Sequence, residues 1–157
     1  MSQLLLNKIR EMLQGKGVNF RQIHHEPTAT SEDSARARGE ELRIGGKAIL
    51  LKTDGRFCLF VLSAALRIDS GAIRRYLSVR KTRFATATEL GKLTQLVPGA
   101  VPPFGRPLLP FDLYVDRSIL ESNRIAFNAG SLTDSIILSV QDYLDVADPQ
   151  VFNFSKS

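Results

Sequence analysis

Leu4, Leu5, Leu6, Ile9, Met12 and Leu13 recur at helical spacing, and Gly15 and Gly17 stop the pattern, so the chain opens with an amphipathic helix. VNFRQIHHEP follows as a predicted strand, with Val18, Phe20 and Gln22 on one side, and it runs into a polar corner at His24, His25, Glu26 and Pro27. Thr30-Ser31-Glu32-Asp33 supplies a hydroxyl cap and an acidic first turn for a short helix through about Arg38, which Gly39 ends. The apolar runs KAILLK (47–52) and FCLFVL (57–62) flank Thr53-Asp54-Gly55-Arg56, whose Asp-Gly pair predicts an antiparallel hairpin. DSGAIRRYL (69–77) is helical in pattern, capped by Asp69 or Ser70 with Ile73 and Leu77 inward. The next helix opens at Thr86, where T-x-x-E with Glu89 forms a capping box, and runs through Leu93 and Leu96 to Pro98 and Gly99. DLYV (112–115), RIAFNAG (124–130) and SIILSV (135–140) are short and rich in strand formers; a helix capped by Ser139, with Asp142 three residues on, and a polar tail from about Asp148 complete the chain.

Strands and short helices follow one another without regular alternation, which predicts an α+β fold with a mixed, largely antiparallel sheet. With 157 residues and 43% apolar content, the chain suits one core and one domain over 1–157. No apolar run reaches the roughly 18 residues of a membrane span. Asn7, Lys8, Arg10 and Glu11 interrupt the N-terminus too early for a secretory signal, so the expectation is a cytoplasmic protein. The single cysteine, Cys58, lies inside FCLFVL and reads as a small buried hydrophobe. The formal net charge is +5, and the excess is concentrated at 67–83, where Arg67, Arg74, Arg75, Arg80, Lys81 and Arg83 face only Asp69. Such a stretch is either a solvated face or a contact for a polyanion, nucleic acid first.

Gly45-Gly46-Lys47 is not a phosphate-binding loop, since Glu41 and Ala48 stand where that motif needs glycine and Ser or Thr. Lys47 alternates with Ile49 and Leu51, so it points to an apolar face and either snorkels out at the strand end or stands in a site. Adjacent strand residues face opposite ways, so His24 and His25 do not chelate one metal; no ligand cluster suggests a metal or other cofactor, and no G-x-S-x-G marks a serine hydrolase. GAVPPFG (99–105) packs two prolines and two glycines into seven residues, which neither helix nor central strand accommodates. It is a shaped loop, serving as a binding wall or as a stiff connector. Asn128-Ala129-Gly130-Ser131 is a glycine turn at a strand end, read either as a binding corner or as a plain turn.

The strand Lys47 after a capped helix, the Gly99-x-x-x-Pro103 loop, and the late FNAG turn leading into SIILSV resemble, in that order, the YbaK family of aminoacyl-tRNA deacylases, which includes the editing domain of bacterial prolyl-tRNA synthetases. The resemblance covers about 20–147 and takes in HHEPTATSEDSARARG and LPFDLYVDRSIL. It implies a barrel-like sheet flanked by helices and, without a metal or nucleophilic side chain, hydrolysis of the ester between a wrong, small amino acid and the tRNA 3′ adenosine. It places Lys47 and Gly99 in the catalytic role, with Val101, Pro103, Phe104, Asn128, Gly130, Ser135 and His25 around the substrate. Arg74, Arg75, Arg80 and Lys81 become tRNA contacts, and the partners are mischarged tRNA and a synthetase. In members acting on cysteinyl-tRNA a threonine follows the lysine, and a serine and an aspartate flank the late turn; Ala48, Asn128 and Ser135 stand here instead. The alternative is a catalytically silent tRNA- or RNA-binding module of the same fold, or a hydrolase of small-molecule esters.

Overall fold

The computed structural model describes residues 2–157. Its centre is the hairpin of β2 (Gly46–Thr53) and β3 (Arg56–Ser63), paired in register from Gly46 with Ser63 to Thr53 with Arg56. Asp54 and Gly55 turn the corner with φ of 48° and 95°, the left-handed pair that a two-residue hairpin loop requires. Leu59, Phe60, Val61 and Leu62 are fully buried, so β3 is covered on both faces. Leu59 and Val61 join one core with Leu50, Phe104, Phe127 and Tyr143, while Phe60 and Leu62 join a second with Cys58, Ile73 and Phe154. Cys58 is a packing residue as expected, and burial pushes its thiol pKa up.

Three more strands complete the five-stranded sheet: β5 (Thr82–Phe84), β6 (Asp112–Asp116) and β9 (Gln150–Phe152), in the order β5-β2-β3-β6-β9. β6 runs parallel to both β3 and β9, and the remaining pairings are antiparallel. A three-stranded antiparallel sheet, β1-β8-β7, is built from β1 (Phe20–His24), β7 (Arg124–Asn128) and β8 (Asp134–Ser139). The first helix, α1 (Ser2–Gly15), lays Leu6, Ile9 and Leu13 on the core. The other helices, α2 (Ser31–Arg38), α3 (Ser70–Leu77), α4 (Ala87–Thr94) and α5 (Val140–Ala147), begin at Thr30, Asp69, Thr86 and Ser139, whose side chains accept the backbone N–H of Asp33, Ala72, Glu89 and Asp142. Each such cap is worth about 0.5–2 kcal/mol. Among the described residues, no helix is long and apolar enough to cross a membrane.

Two sheets stand side by side rather than closing into a barrel, and they meet where Gly45 bridges Ala126. A Cβ at Gly46 would lie 2.5 Å from Ile125 Cδ1, so only glycine lets the head of β2 approach β7 this closely. That seam opens the cavity described below.

Three local expectations need correction. α4 stops at Thr94, where Gln95 turns left-handed (φ 62°) and the Thr94 hydroxyl donates to the Leu90 carbonyl, so Leu96 is buried outside the helix. The strands expected at 124–130 and 135–140 run over 124–128 and 134–139. The segment from Asp148 is no loose polar tail: β9 extends the large sheet, β10 (Ser155–Lys156) pairs with β4 (Arg67–Ile68), and Phe152 and Phe154 are buried. Asp116 fastens this segment, one carboxylate oxygen accepting Phe154 N at 2.6 Å and the other Ser118 N at 3.0 Å. Burial raises the pKa of this carboxyl, but the hydrogen bonds outweigh it and hold it below the usual aspartate value.

Candidate active site

Four separated stretches wall a cavity of about 240 Å³ at the seam: 28–34 at the start of α2, 45–49 at the head of β2, 98–101 in the proline loop, and the β7–β8 corner with Asn128 and Leu132. Lys47 stands half-buried on one wall, on the strand face shared with Ile49, while Gly99 and Val101 stand on another. Burial lowers the Lys47 pKa from the ordinary lysine value, and the charge of nearby Glu32 partly offsets this. Thr28, Thr30, Ser31 and Ser34 contribute hydroxyls, and Ala48, Ile49, Pro98, Val101 and Leu132 contribute apolar surface.

Behind the cavity lies a polar chain that the sequence did not announce. Arg38, at the last turn of α2 and only 7% exposed, lines the cavity and donates from Nε to Ser135 Oγ at 2.9 Å and from Nη2 to Asn128 Oδ1 at 3.0 Å. Burial lowers its pKa to about 10, with Glu40 opposing. The Glu40 carboxylate itself is held by Arg124 at 2.8–2.9 Å. Ser135 Oγ also meets His25 Nε2 at 2.8 Å, while His25 Nδ1 lies 2.8 Å from the Glu26 carbonyl. A carbonyl only accepts, so Nδ1 carries a proton; the Ser135 hydroxyl, which accepts from Arg38 Nε, has one proton to give and faces both His25 Nε2 and Asn128 Oδ1, the latter at 3.2 Å.

The same amide fixes the proline loop. With Oδ1 held by Arg38, Asn128 turns Nδ2 to donate to the Gly99 carbonyl at 2.8 Å. Gly130 N donates to the Ala100 carbonyl at 3.0 Å, and the buried Tyr143 hydroxyl to the Pro103 carbonyl at 2.6 Å. Gly99 sits at φ 88°, a conformation in which any side chain is strained.

Of the residues singled out in the sequence, Lys47, Gly99, Val101 and Asn128 converge on the cavity. Others act from behind. Pro103 and Phe104 are buried, with Phe104 edge-on to Phe127 and Tyr143 in the core, and the proline on the cavity wall is Pro98. Gly130 packs beside Leu5 of α1, Ser135 is fully enclosed, and the His25 ring hydrogen-bonds Ser135 and the Glu26 carbonyl. None of these five lines the cavity. Arg38 and the hydroxyls of 28–34 were missed, although Ser34, Ala35 and Arg38 share one face of α2 at i, i+1, i+4 spacing, a stripe of small residues with an arginine that marks its buried side.

Arg74, Arg80 and Lys81 line a second, open groove of about 620 Å³ with Lys52, Arg83, Thr82, Gly55 and Asp54. Asp54 is its one carboxylate, and it accepts the backbone N–H of Arg80 and Lys81. Arg75 does not line it. The groove lies at the far end of β2 from Lys47, and the five residue steps from Lys47 to Lys52 span roughly 16 Å at strand rise.

Two sheets thus meet at a small cavity lined by Arg38 and Lys47, and a second, basic groove lies along the same strand. The chain belongs to the aminoacyl-tRNA editing domain family, whose family model matches residues 25–146. It is 34% identical over 152 residues to the multifunctional Ser/Thr-tRNA deacylase ProXp-y of Escherichia coli K12, covering 93% of this chain and 90% of that protein. Among solved structures, a candidate trans-editing enzyme for prolyl tRNA synthetase superposes with a TM-score of 0.83 at 23% identity, covering 97% of both chains. Hypothetical protein APE2540 superposes with a TM-score of 0.84 at 22% identity, covering 95% of this chain and 99% of that one. These two likenesses establish the fold.

Proposed function

We propose that this protein hydrolyses the ester joining serine or threonine to the 3′-terminal adenosine of a mischarged tRNA, acting in trans on the released aminoacyl-tRNA. The observation that carries the reading is the convergence of Lys47 and the Gly99 loop on one small cavity in a chain of the editing family. A cavity of about 240 Å³ with hydroxyls on one wall suits a small polar amino acid, and the curated relative acts on seryl- and threonyl-tRNA. Lys47 at the mouth holds the phosphate and ribose of the terminal nucleotide and adds positive potential beside the ester. The Gly99 loop, pinned by Asn128 and Gly130, forms the fixed wall against which water and the aminoacyl group are held. A fixed wall matters because an extra methylene changes binding by only about 1–3 kcal/mol, and a yielding wall would forfeit that selectivity. Water adds to the carbonyl carbon, the bond to the ribose oxygen breaks, and that oxygen takes a proton, with the neighbouring ribose hydroxyl assisting.

Hydrolysis of a panel of tRNAs charged with serine, threonine, alanine, cysteine and proline tests the reading. Seryl- and threonyl-tRNA are expected to be cleaved fastest; binding without turnover on every member would instead establish the silent module, and turnover of free aminoacyl esters as fast as of charged tRNA would establish a small-molecule hydrolase.

The second groove is the docking surface for the tRNA backbone in this reading. Reversing Arg74 and Arg80 together to glutamate is expected to weaken tRNA binding and to reduce the slope of log affinity against log salt by about 1–2, as each lost phosphate contact lowers the counterion release by close to one. Filter binding from low to physiological salt measures it, and an unchanged slope rejects the groove.

A further inference from the structure

Arg38 is a cation enclosed at the floor of the cavity without a carboxylate partner. Two of its three nitrogens are committed, Nε to Ser135 and Nη2 to Asn128. Nη1 has no hydrogen-bond partner among the described residues, and it lies beside Gly45, where a Cβ would stand 3.6 Å from it. Arg38 and Gly45 both line the cavity, so the open edge of the guanidinium faces the space a ligand would enter. Burial disfavours the charged form and outweighs the opposing charge of Glu40, as the lowered pKa of about 10 reflects, yet a guanidinium of that pKa still carries its charge at neutral pH. The second cation on these walls is Lys47, and among the described residues no carboxylate lines the cavity.

We propose that Arg38 Nη1 is the donor for the carbonyl oxygen of the bound aminoacyl ester, and that the floor of the cavity is a subsite for the negative charge that forms there. The inference rests on the editing reading above and adds a second group, besides Lys47, to the electrostatic part of its chemistry. As water oxygen bonds to the carbonyl carbon, the carbonyl electron pair moves onto its oxygen, beside a donor already fixed by Ser135 and Asn128. Collapse of that adduct expels the ribose oxygen, which takes a proton from the attacking water. The products are tRNA with a free ribose hydroxyl and an amino acid carboxylate, whose remaining proton passes to solvent. The carboxylate is itself an anion at the same position, so the floor that stabilises the adduct also holds the product. A donor that meets the developing charge more strongly than the neutral ester raises kcat rather than lowering KM. Two cations and no carboxylate also favour the substrate whose α-amine is neutral.

The test compares wild type, Arg38→Met and Arg38→Lys in single-turnover hydrolysis of seryl-tRNA at saturating enzyme, with NMR titrations of free L-serine and of L-serinamide, which lacks the carboxylate. The Met variant is expected to lose about 100-fold in rate constant, with tRNA affinity within about twofold of wild type. The Lys variant restores the cation and is expected to regain at least about one tenth of the wild-type rate, a rescue at variance with simple loss of the arginine's packing. L-serine is expected to bind wild type more tightly than L-serinamide, and the Met variant to bind both alike. A folded Met variant with the wild-type rate overturns the proposal, as does a loss confined to tRNA affinity or an undiminished preference for L-serine. If wild type cleaves no charged tRNA, the editing reading fails by itself, and the preference for L-serine over L-serinamide still decides whether the floor is an anion subsite.

Discussion

Lys47→Ala is expected to slow deacylation of seryl-tRNA by about 10²–10³-fold, the cost of removing one preorganised charged donor from such a site. Stability is expected to stay within about 1 kcal/mol of wild type, the usual range for a partly exposed residue away from the core. The physical reason lies in the half-buried position of the ammonium at the head of β2. Burial lowers its pKa, so the folded state disfavours the charge that catalysis uses, and removing the side chain relieves the fold rather than weakening it. Loss of rate with an unchanged melting temperature places the lysine in the chemistry. A variant that keeps its rate would leave Lys47 as a snorkelling strand end and remove it from the editing mechanism.

Phe104→Ala separates the two readings of the proline loop. The ring is 2% exposed and packs edge-on to Phe127 and Tyr143 at centroid distances of 5.5 Å. Its removal is expected to cost about 3–5 kcal/mol, which lowers the melting temperature by roughly 10 °C for a domain of this size. The rate per folded molecule at a permissive temperature is expected to remain within a few-fold, because the ring does not reach the cavity. Thermal denaturation and kinetics on the same sample check both halves. A raised KM with unchanged stability would return the ring to the substrate, where the sequence first suggested it.

Much of this architecture is written locally. The caps at Thr30, Asp69, Thr86 and Ser139 and the turn at Asp54-Gly55 depend on neighbours within a few residues, and they fall where the pattern puts them. What depends on distant partners is not legible in the same way. The parallel pairing of β6 with β3 joins strands separated by two helices and a proline loop, and the pairing of the last residues with β4 and β6 turns an apparently polar tail into buried edge strands. In the site, the pattern and the family resemblance together brought Lys47, Gly99, Val101 and Asn128 to one place. A loop rich in proline and glycine announces a fixed shape, but not which side faces the ligand, so Pro103 and Phe104 turned out to hold the wall from behind while Pro98 forms part of it. Arg38 escaped notice because a basic residue near a helix C-terminus ordinarily serves the helix dipole from the surface, whereas this one is drawn inward by Ser135 and Asn128, almost a hundred residues further on.

The walls of the cavity come from residues 28–34, 45–49, 98–101 and 128–132, stretches far apart in the chain. Such a site has high contact order: its closure entropy must be overcome before its own contacts reward it, so it matures with the last long-range pairings of the folding chain. A nascent or partly unfolded copy therefore carries its basic stretches before the cavity has assembled, and fragments of the domain keep the charge without the enclosed space.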